Sequence, residues 1–205
     1  MKHIGRIVIV LTMALAGCSG GGEDDGWVSL FDGKTLEGWK VNENPETFSI
    51  QDGAIVAKGE RSHLFYMGTV GNHEFRNFEL KVDVMTAPGS NGGVFFHTKW
   101  QVRGWPREGY EMQVDNTHLD PQRTGGLYNV AQVLEAPAKD NVWFTEHLIV
   151  RGKQVIVNVD GKQVVDYTEP AGAPSKLNGG TIALQGHDPG SVVKDKNIRI
   201  RLLPE

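Results

Sequence analysis

Two Asp-Gly pairs, each set between short apolar or alternating segments, restrict the architecture this chain can adopt. Asp52-Gly53 joins Phe48-Ser-Ile-Gln to Ala54-Ile-Val-Ala, and Asp160-Gly161 joins residues 154–159 to residues 162–167. An Asx-Gly pair takes the positive φ angles of a tight hairpin turn, whose twist suits two antiparallel strands. Residues 78–85 place Phe, Leu, Val and Val on one side, against Glu, Lys, Asp and Met on the other. Successive side chains alternate across a strand, so this pattern reads as a half-buried one. Residues 92–98, 110–115, 144–151, 180–186 and 197–203 read as further strands, with turn residues at 88–91 and 187–190. The 205 residues include 26 Gly and 9 Pro and carry no helical periodicity. One all-β domain is expected, two antiparallel sheets packed as a jelly-roll sandwich. No internal repeat is present, which weighs against a propeller.

Residues 1–17 read as a targeting segment. Lys2 and Arg6 give a positive end, and residues 7–16 form an apolar run too short to span a bilayer as a mature helix. Leu15-Ala16-Gly17-Cys18 resembles the lipobox of bacterial lipoproteins. That resemblance implies lipidation at Cys18 and residence in the cell envelope, on the periplasmic face or outer membrane, with Ser19 favouring export beyond the inner membrane. Residues 18–26 form a flexible acidic tether, and the domain is expected over residues 27–204. Cys18 is the single cysteine, so there is no disulfide framework and no cysteine metal site. The formal charge of −4 becomes more negative once Lys2 and Arg6 are removed. Nucleic acid and anionic membrane surfaces are therefore excluded as partners, and membrane contact runs through the lipid anchor alone.

The stretch 109–128 carries the densest chemistry. Tyr110, Met112 and Val114 face one side of a strand, while Glu111, Gln113 and Asp115 face the other. Unpaired buried charge is costly, so the polar side is either a solvated face or a polar binding floor. Asn116, His118, Asp120 and Arg123 crowd into a turn with Pro121, and Gly125-Gly126 returns the chain to Tyr128. In residues 92–98, Val94 and Phe96 share one face, and Gly93, Phe95 and His97 share the other. Residues 100–108 suit a loop over a ligand cleft, with Trp100 and Trp105 at its rim.

Several segments together resemble the 3-keto-disaccharide hydrolase family. They are Leu30-Phe-Asp-Gly-Lys-Thr-Leu-Glu-Gly-Trp39, Asn91-Gly-Gly-Val-Phe-Phe-His97, Gly109-Tyr-Glu111 with Gln113, Ala183-Leu-Gln-Gly-His-Asp188 and Asn197-Ile-Arg-Ile200. The resemblance runs over residues 27–203. It implies a concanavalin A-like jelly roll that cleaves 3-keto glycosides, by hydrolysis or by elimination of the glycosidic group. The chain departs from the family pattern at Trp143-Phe144, commonly Trp-Asn, and at Lys194-Asp195-Lys196, where Arg is common. Its Tyr-Glu-x-Gln-Val-x-Asn-Thr-His and Trp-Phe-Thr-Glu-His runs resemble a glucanase-like branch.

Elimination from a 3-keto glycoside needs few groups. The ketone acidifies the proton at C2, so one base removes it while the oxygen on C1 departs, aided by an acid or electrophile. Glu111, His97 and His187 are the candidates for proton transfer. Gln113, Asp115, Arg123, Tyr128 and Gln185 are candidates to hold hydroxyls, with Trp100 or Trp105 stacked on a sugar ring. His97, His118, His147 and His187 lack the close spacing of a zinc signature. Two or three of them could still converge with Glu111 or Asp115 on a divalent cation. Alternatively His147 pairs across strands and His118 serves a turn, while His63 and His73 read as solvated loop residues. Three other functions compete: a sugar-binding module without chemistry, a structural envelope protein, and a conventional glycosidase. The last needs two carboxylates about 5 Å apart, whereas residues four apart on a regular strand are separated by about 13 Å.

Overall fold

The computed structural model describes residues 26–205. The expected signal segment, Cys18 and the tether as far as Asp25 lie outside the described residues. Thirteen strands follow in chain order: β1 (Trp27–Ser29), β2 (Trp39–Val41), β3 (Phe48–Gln51), β4 (Ala54–Ala57), β5 (Ser62–Tyr66), β6 (Phe78–Thr86) and β7 (Asn91–Thr98). The second half supplies β8 (Tyr110–Asp115), β9 (Phe144–Arg151), β10 (Gln154–Val159), β11 (Lys162–Thr168), β12 (Thr181–Gly186) and β13 (Val193–Leu202). They form an eight-stranded sheet in the order β11-β10-β9-β6-β13-β4-β3, with β1 also on β13, and a five-stranded sheet in the order β2-β5-β12-β7-β8. Every pairing between strands is antiparallel. The all-β sandwich read from the sequence is the fold observed.

The Asp-Gly turns act as expected. Asp52 and Gly53 have φ of 52° and 76°, and Asp160 and Gly161 have 48° and 78°, positive at both central positions. They close the β3–β4 and β10–β11 hairpins. Period-two patterning then sends Phe78, Leu80, Val82 and Val84 of β6 into the space between the sheets. There they meet Val94 and Phe96 of β7 and Ile182 and Leu184 of β12, all within one buried cluster. Full burial of each such side chain is worth about 1.5–3 kcal/mol.

The five-stranded sheet is covered on both faces. All eight residues of β7 and all six of β12 are buried. On the face away from the main core, Phe65, Phe95 and Ala183 form a second apolar cluster with Met67 and Trp100. Three features differ from the sequence reading. β5 lies in a segment read as polar loop, so His63 is a fully buried strand residue rather than a solvated one. β13 begins four residues before Asn197, its register shifting between Lys196 and Arg199 where Asn197 takes a φ of 50°. His97, with a φ of 53°, sits where β7 and β12 also slip register, between Phe96 and Thr98.

Candidate active site

The outward face of the five-stranded sheet forms the floor of a cleft of about 520 Å³. β8 pairs with β7 in regular register, so Glu111 lies opposite Phe95, Gln113 opposite Gly93, and Asp115 opposite Asn91. Gly93 decides what Glu111 can do. A Cβ at that position would overlap the Glu111 carboxyl, so the missing side chain leaves a channel across β7. Through it Glu111 reaches Gln185 of β12, whose Nε2 donates to Oε1 at 2.7 Å. Burial pushes the Glu111 carboxyl up to about 8, against the Gln185 hydrogen bond and with added repulsion from Asp120. At neutral pH it is therefore mostly protonated. With Oε1 accepting from Gln185, Oε2 is the oxygen able to carry a proton to a ligand.

His187 stands at the edge of the same cleft, just beyond β12. Its Nδ1 is 2.7 Å from Asp188 Oδ2, which also accepts from Ser191 Oγ at 2.8 Å, while Asp188 Oδ1 accepts from the Gly190 amide at 2.7 Å. Burial opposes the charge on Asp188, but the hydrogen bonds from His187, Ser191 and Gly190 prevail and hold its pKa below the usual value. An ionised carboxylate on Nδ1 assigns the proton of neutral His187 to that nitrogen and leaves Nε2 with a lone pair. Trp105 lies against the ring, with centroids 5.4 Å apart.

Gln113 and Tyr128 also line the cleft. Gln113 Nε2 donates to Asn91 Oδ1 and to the Gln122 carbonyl, both at 3.4 Å, and the Tyr128 hydroxyl donates to Asp120 Oδ2 at 3.3 Å. Glu111, His187, Gln113, Tyr128, Gln185 and Trp105 are thus brought together.

Four candidates are not. His97 leaves the face of Gly93 and Phe95 because the register slip turns its ring towards Phe78 and Phe96, at 5.7 and 6.0 Å. Its Nε2 is 2.8 Å from the Arg76 carbonyl, and burial lowers its pKa to about 4. Asp115 is fully buried at the end of β8, its Oδ1 accepting from the His118 amide and from Arg123 Nη1, both at 2.9 Å. Arg123 also donates to the carbonyls of His118 and Asp120, so this pair ties down the turn rather than facing a ligand. Trp100 packs in the second apolar cluster beneath Lys40, whose Nζ is 3.6 Å from the ring centroid.

No three His, Cys, Asp or Glu side chains among the described residues group closely enough to hold a metal ion. His147 lies on the other sheet with Nε2 2.9 Å from Glu79, the cross-strand alternative raised above. His118 Nδ1 accepts from the Asp120 amide at 3.2 Å, a turn role. Two of the histidines considered for a divalent cation, His118 and His187, do stand together, with ring centroids 5.6 Å apart and His118 Nδ1 3.8 Å from Asp115 Oδ2.

Some contributors had no clear signal in the sequence. Gly93 and Asp188 stand in the quoted motifs, but nothing local says that one clears a path or that the other orients an imidazole. Asn129 and Lys176 reach the cleft from loops distant in the chain.

The sequence pattern of the 3-keto-alpha-glucoside-1,2-lyase-like domain matches residues 26–201. A relative from Bacteroides thetaiotaomicron named 3-keto-disaccharide hydrolase is 34% identical over 70% of this chain, which spans 59% of that relative's length. A structure from Parabacteroides distasonis, provisionally assigned as a glycosyl hydrolase, superposes with a TM-score of 0.74 at 20% identity, covering 87% of this chain and 94% of that one. A second from the same organism, assigned alike, gives 0.66 at 27% identity over 86% and 99%. The carbohydrate binding module CBM66 from Bacillus subtilis gives 0.61 at 14% identity over 80% and 95%, a likeness of fold alone. The extent of the domain match and the agreement of fold lead to one assignment: the chain belongs to the 3-keto-alpha-glucoside-1,2-lyase-like family.

Proposed function

We propose that the protein cleaves the glycosidic bond of 3-keto glycosides by elimination, with His187 as the base and Glu111 as the acid. The observation that carries this reading is a buried carboxyl held by Gln185 and a carboxylate-oriented imidazole lining one cleft. His187 Nε2 takes the proton from C2. The C2–H electron pair forms an enolate with the C3 carbonyl and then the C1–C2 double bond as the C1–O bond breaks. Glu111 Oε2 gives its proton to the departing oxygen, and the C3 carbonyl is restored. The products are an alcohol and a 1,2-unsaturated 3-keto sugar, to which water can add in a later step. The proton gained by His187 balances the one lost by Glu111, so the enzyme resets by proton exchange with solvent. Gln113 and Tyr128 hold sugar hydroxyls, and Trp105 offers a face to the ring.

A conventional retaining glycosidase fits less well. β8 pairs in regular register, so Glu111 and Asp115 stay about 13 Å apart, and Asp115 is enclosed by Arg123. The lectin reading does not account for a buried carboxyl and a His-Asp pair in one cleft, groups that hydrogen bonding to a sugar does not require.

The test is incubation of the soluble form, from Gly26 onward, with a 3-keto disaccharide and with its unoxidised parent, each with and without chelator. Cleavage of the keto sugar alone is expected, with an unsaturated product trapped before water adds. Cleavage of the parent would overturn the elimination chemistry, and binding without cleavage of either would leave a sugar-binding module. Chelator-sensitive cleavage would bring back the cation. We further propose lipid anchoring at Cys18 in the bacterial cell envelope, on which Cys18→Ser should move the protein from the membrane fraction to the soluble one.

A further inference from the structure

His63 takes no part in the proposed chemistry, yet it sits under the same cleft with nothing to satisfy it. It is opposite Gln185 in the β5–β12 register, so both side chains project from the outward face of the sheet. Its ring is fully buried, and neither Nδ1 nor Nε2 has a hydrogen-bond partner among the described residues. The neighbouring Gln185 Oε1 is buried and unpartnered as well, since Gln185 spends its amide nitrogen on Glu111. Buried polar atoms are normally paired, so adjacent unpaired ones on one face need a reason. Burial lowers the His63 pKa to about 4, which keeps the ring neutral with one donor and one acceptor nitrogen.

What closes over His63 is Trp105. The indole lies edge-on at 5.4 Å from the His63 ring and tilted at 5.4 Å from the His187 ring, and it remains 43% exposed. Its loop is held largely by itself. Gln101 Nε2 donates to the carbonyls of Arg103, Gly104 and Trp105 at 2.8, 3.1 and 2.9 Å. Trp100 anchors the start of the loop in the second apolar cluster, and the tip is tied to the sheet side at few points: the Arg61 guanidinium 5.3 Å from the indole centroid, and Glu43, which pairs with Arg61 at 2.9 Å and accepts from the Gly104 amide. A tip braced internally and attached at few points can shift about its anchor at small cost.

We propose that His63 is a sugar-binding residue, exchanging hydrogen bonds with hydroxyls of a pyranose ring that enters beside Gln185 when Trp105 lifts. A hydroxyl is donor and acceptor at once, so one hydroxyl can satisfy a His63 nitrogen and Gln185 Oε1 together. Trp105 then becomes the platform that stacks on the ring it has admitted. The inference rests on the reading of this cleft as a carbohydrate site and makes His63 a specificity residue rather than an acid or base.

The experiment is His63→Phe, with His63→Asn as the companion that keeps a polar group. Three quantities are measured: thermal stability, affinity for the unoxidised disaccharide by calorimetry, and kcat and KM on the keto sugar. Phe removes two unsatisfied nitrogens from an aromatic pocket, so the melting temperature should hold or rise. Affinity for the unoxidised sugar should fall about tenfold, the worth of one good hydrogen bond, with KM rising in step and kcat unchanged. Asn should recover part of the loss, and if Phe does not fold, Asn against wild type decides the matter by the same affinity measurement. Wild-type affinity in the variant would overturn the role of His63 while leaving the cleavage reading standing. Binding of sugar by wild type without cleavage would sink the cleavage reading alone, with His63 still judged on affinity. Neither binding nor cleavage by wild type would overturn both.

Discussion

Glu111 depends on a side chain that is not there. Gly93 is absent from the residues of positive φ, so alanine fits its backbone without strain, and Ala in a strand interior is favoured over Gly by roughly 0.5–1 kcal/mol. Its Cβ would nonetheless displace the Glu111 carboxyl and break the bond to Gln185. Gly93→Ala is therefore expected to lower the melting temperature modestly, the broken buried bond costing about 1–3 kcal/mol against the gain from Ala, while lowering kcat at least tenfold, since a misplacement near 1 Å can cost about a hundredfold. Kinetics and thermal unfolding on one preparation check it, and full activity would remove Glu111 from the mechanism. The protonated state of Glu111 makes a second prediction. An acid with a pKa of about 8 is present below that pH and lost above it, so kcat/KM on the keto sugar should fall through about pH 8. Glu111→Gln should erase that falling limb at a rate about 10²–10⁴ lower, the usual span of general acid catalysis. A limb that persists in the variant would assign it to another group.

At the scale of elements, the turn after β8 shows how a polar residue on the predicted face can still be structural. Asp115 shares its side of β8 with Glu111, but Arg123 reaches back to its carboxylate and to the carbonyls of His118 and Asp120. Arg123→Met leaves these buried acceptors short of a donor, and the expected loss is about 1–3 kcal/mol of stability with kcat nearly unchanged. Urea unfolding against kinetics separates this from a substrate-binding role, which would raise KM instead. The same element explains what could be read beforehand. Period two placed Glu111, Gln113 and Asp115 on one face, and Asp-Gly pairs located the hairpins, because both signals are local. What covers each position along the face is decided by residues far away in the chain, so Asp115 could not be told from Glu111. His97 left its face through a register slip against β12, a strand far later in the chain. β5 escaped notice for a related reason. Covered on both sides, Ser62-His-Leu-Phe-Tyr66 shows no alternation, and its His and Ser read as solvent-facing.

The molecule as a whole carries buried carboxyls in a layer that offers them little countercharge. Glu146 of β9 and Asp195 of β13 flank β6, opposite Val82 and Val84, and both are buried. Burial pushes Asp195 to about 7 and Glu146 well above its usual value, the latter raised further by Asp195. With Glu111, three carboxyls keep their protons in the folded state at pH values where the unfolded chain, ionising near 4, has released them. Their contribution to stability is complete below about pH 4 and is lost as pH rises through the folded values. His63 and His97 act in the opposite sense. Held near 4 when folded and about 6.5 when unfolded, they cost stability as pH falls below 6.5. Between about pH 4.5 and 6.5 the two histidines offset two of the three carboxyls, and above 6.5 only the carboxyls act. Stability should therefore fall gently on the acidic side and then more steeply, by about 1.4 kcal/mol per pH unit for each carboxyl still protonated. Urea midpoints at pH 5.5, 7.0 and 8.5 measure this, and a midpoint that climbs from 7.0 to 8.5 would contradict it. Asp195→Asn isolates one group. The amide copies the shape of the protonated acid but cannot ionise, so the variant should match wild type near pH 4, gain on it as pH rises to about 7, and keep that advantage at pH 8.5. Glu111→Gln should do the same in the upper part of the window. The proton that costs the fold stability above neutrality is the one the proposed mechanism uses, so the rise in stability and the loss of kcat should appear together in that variant.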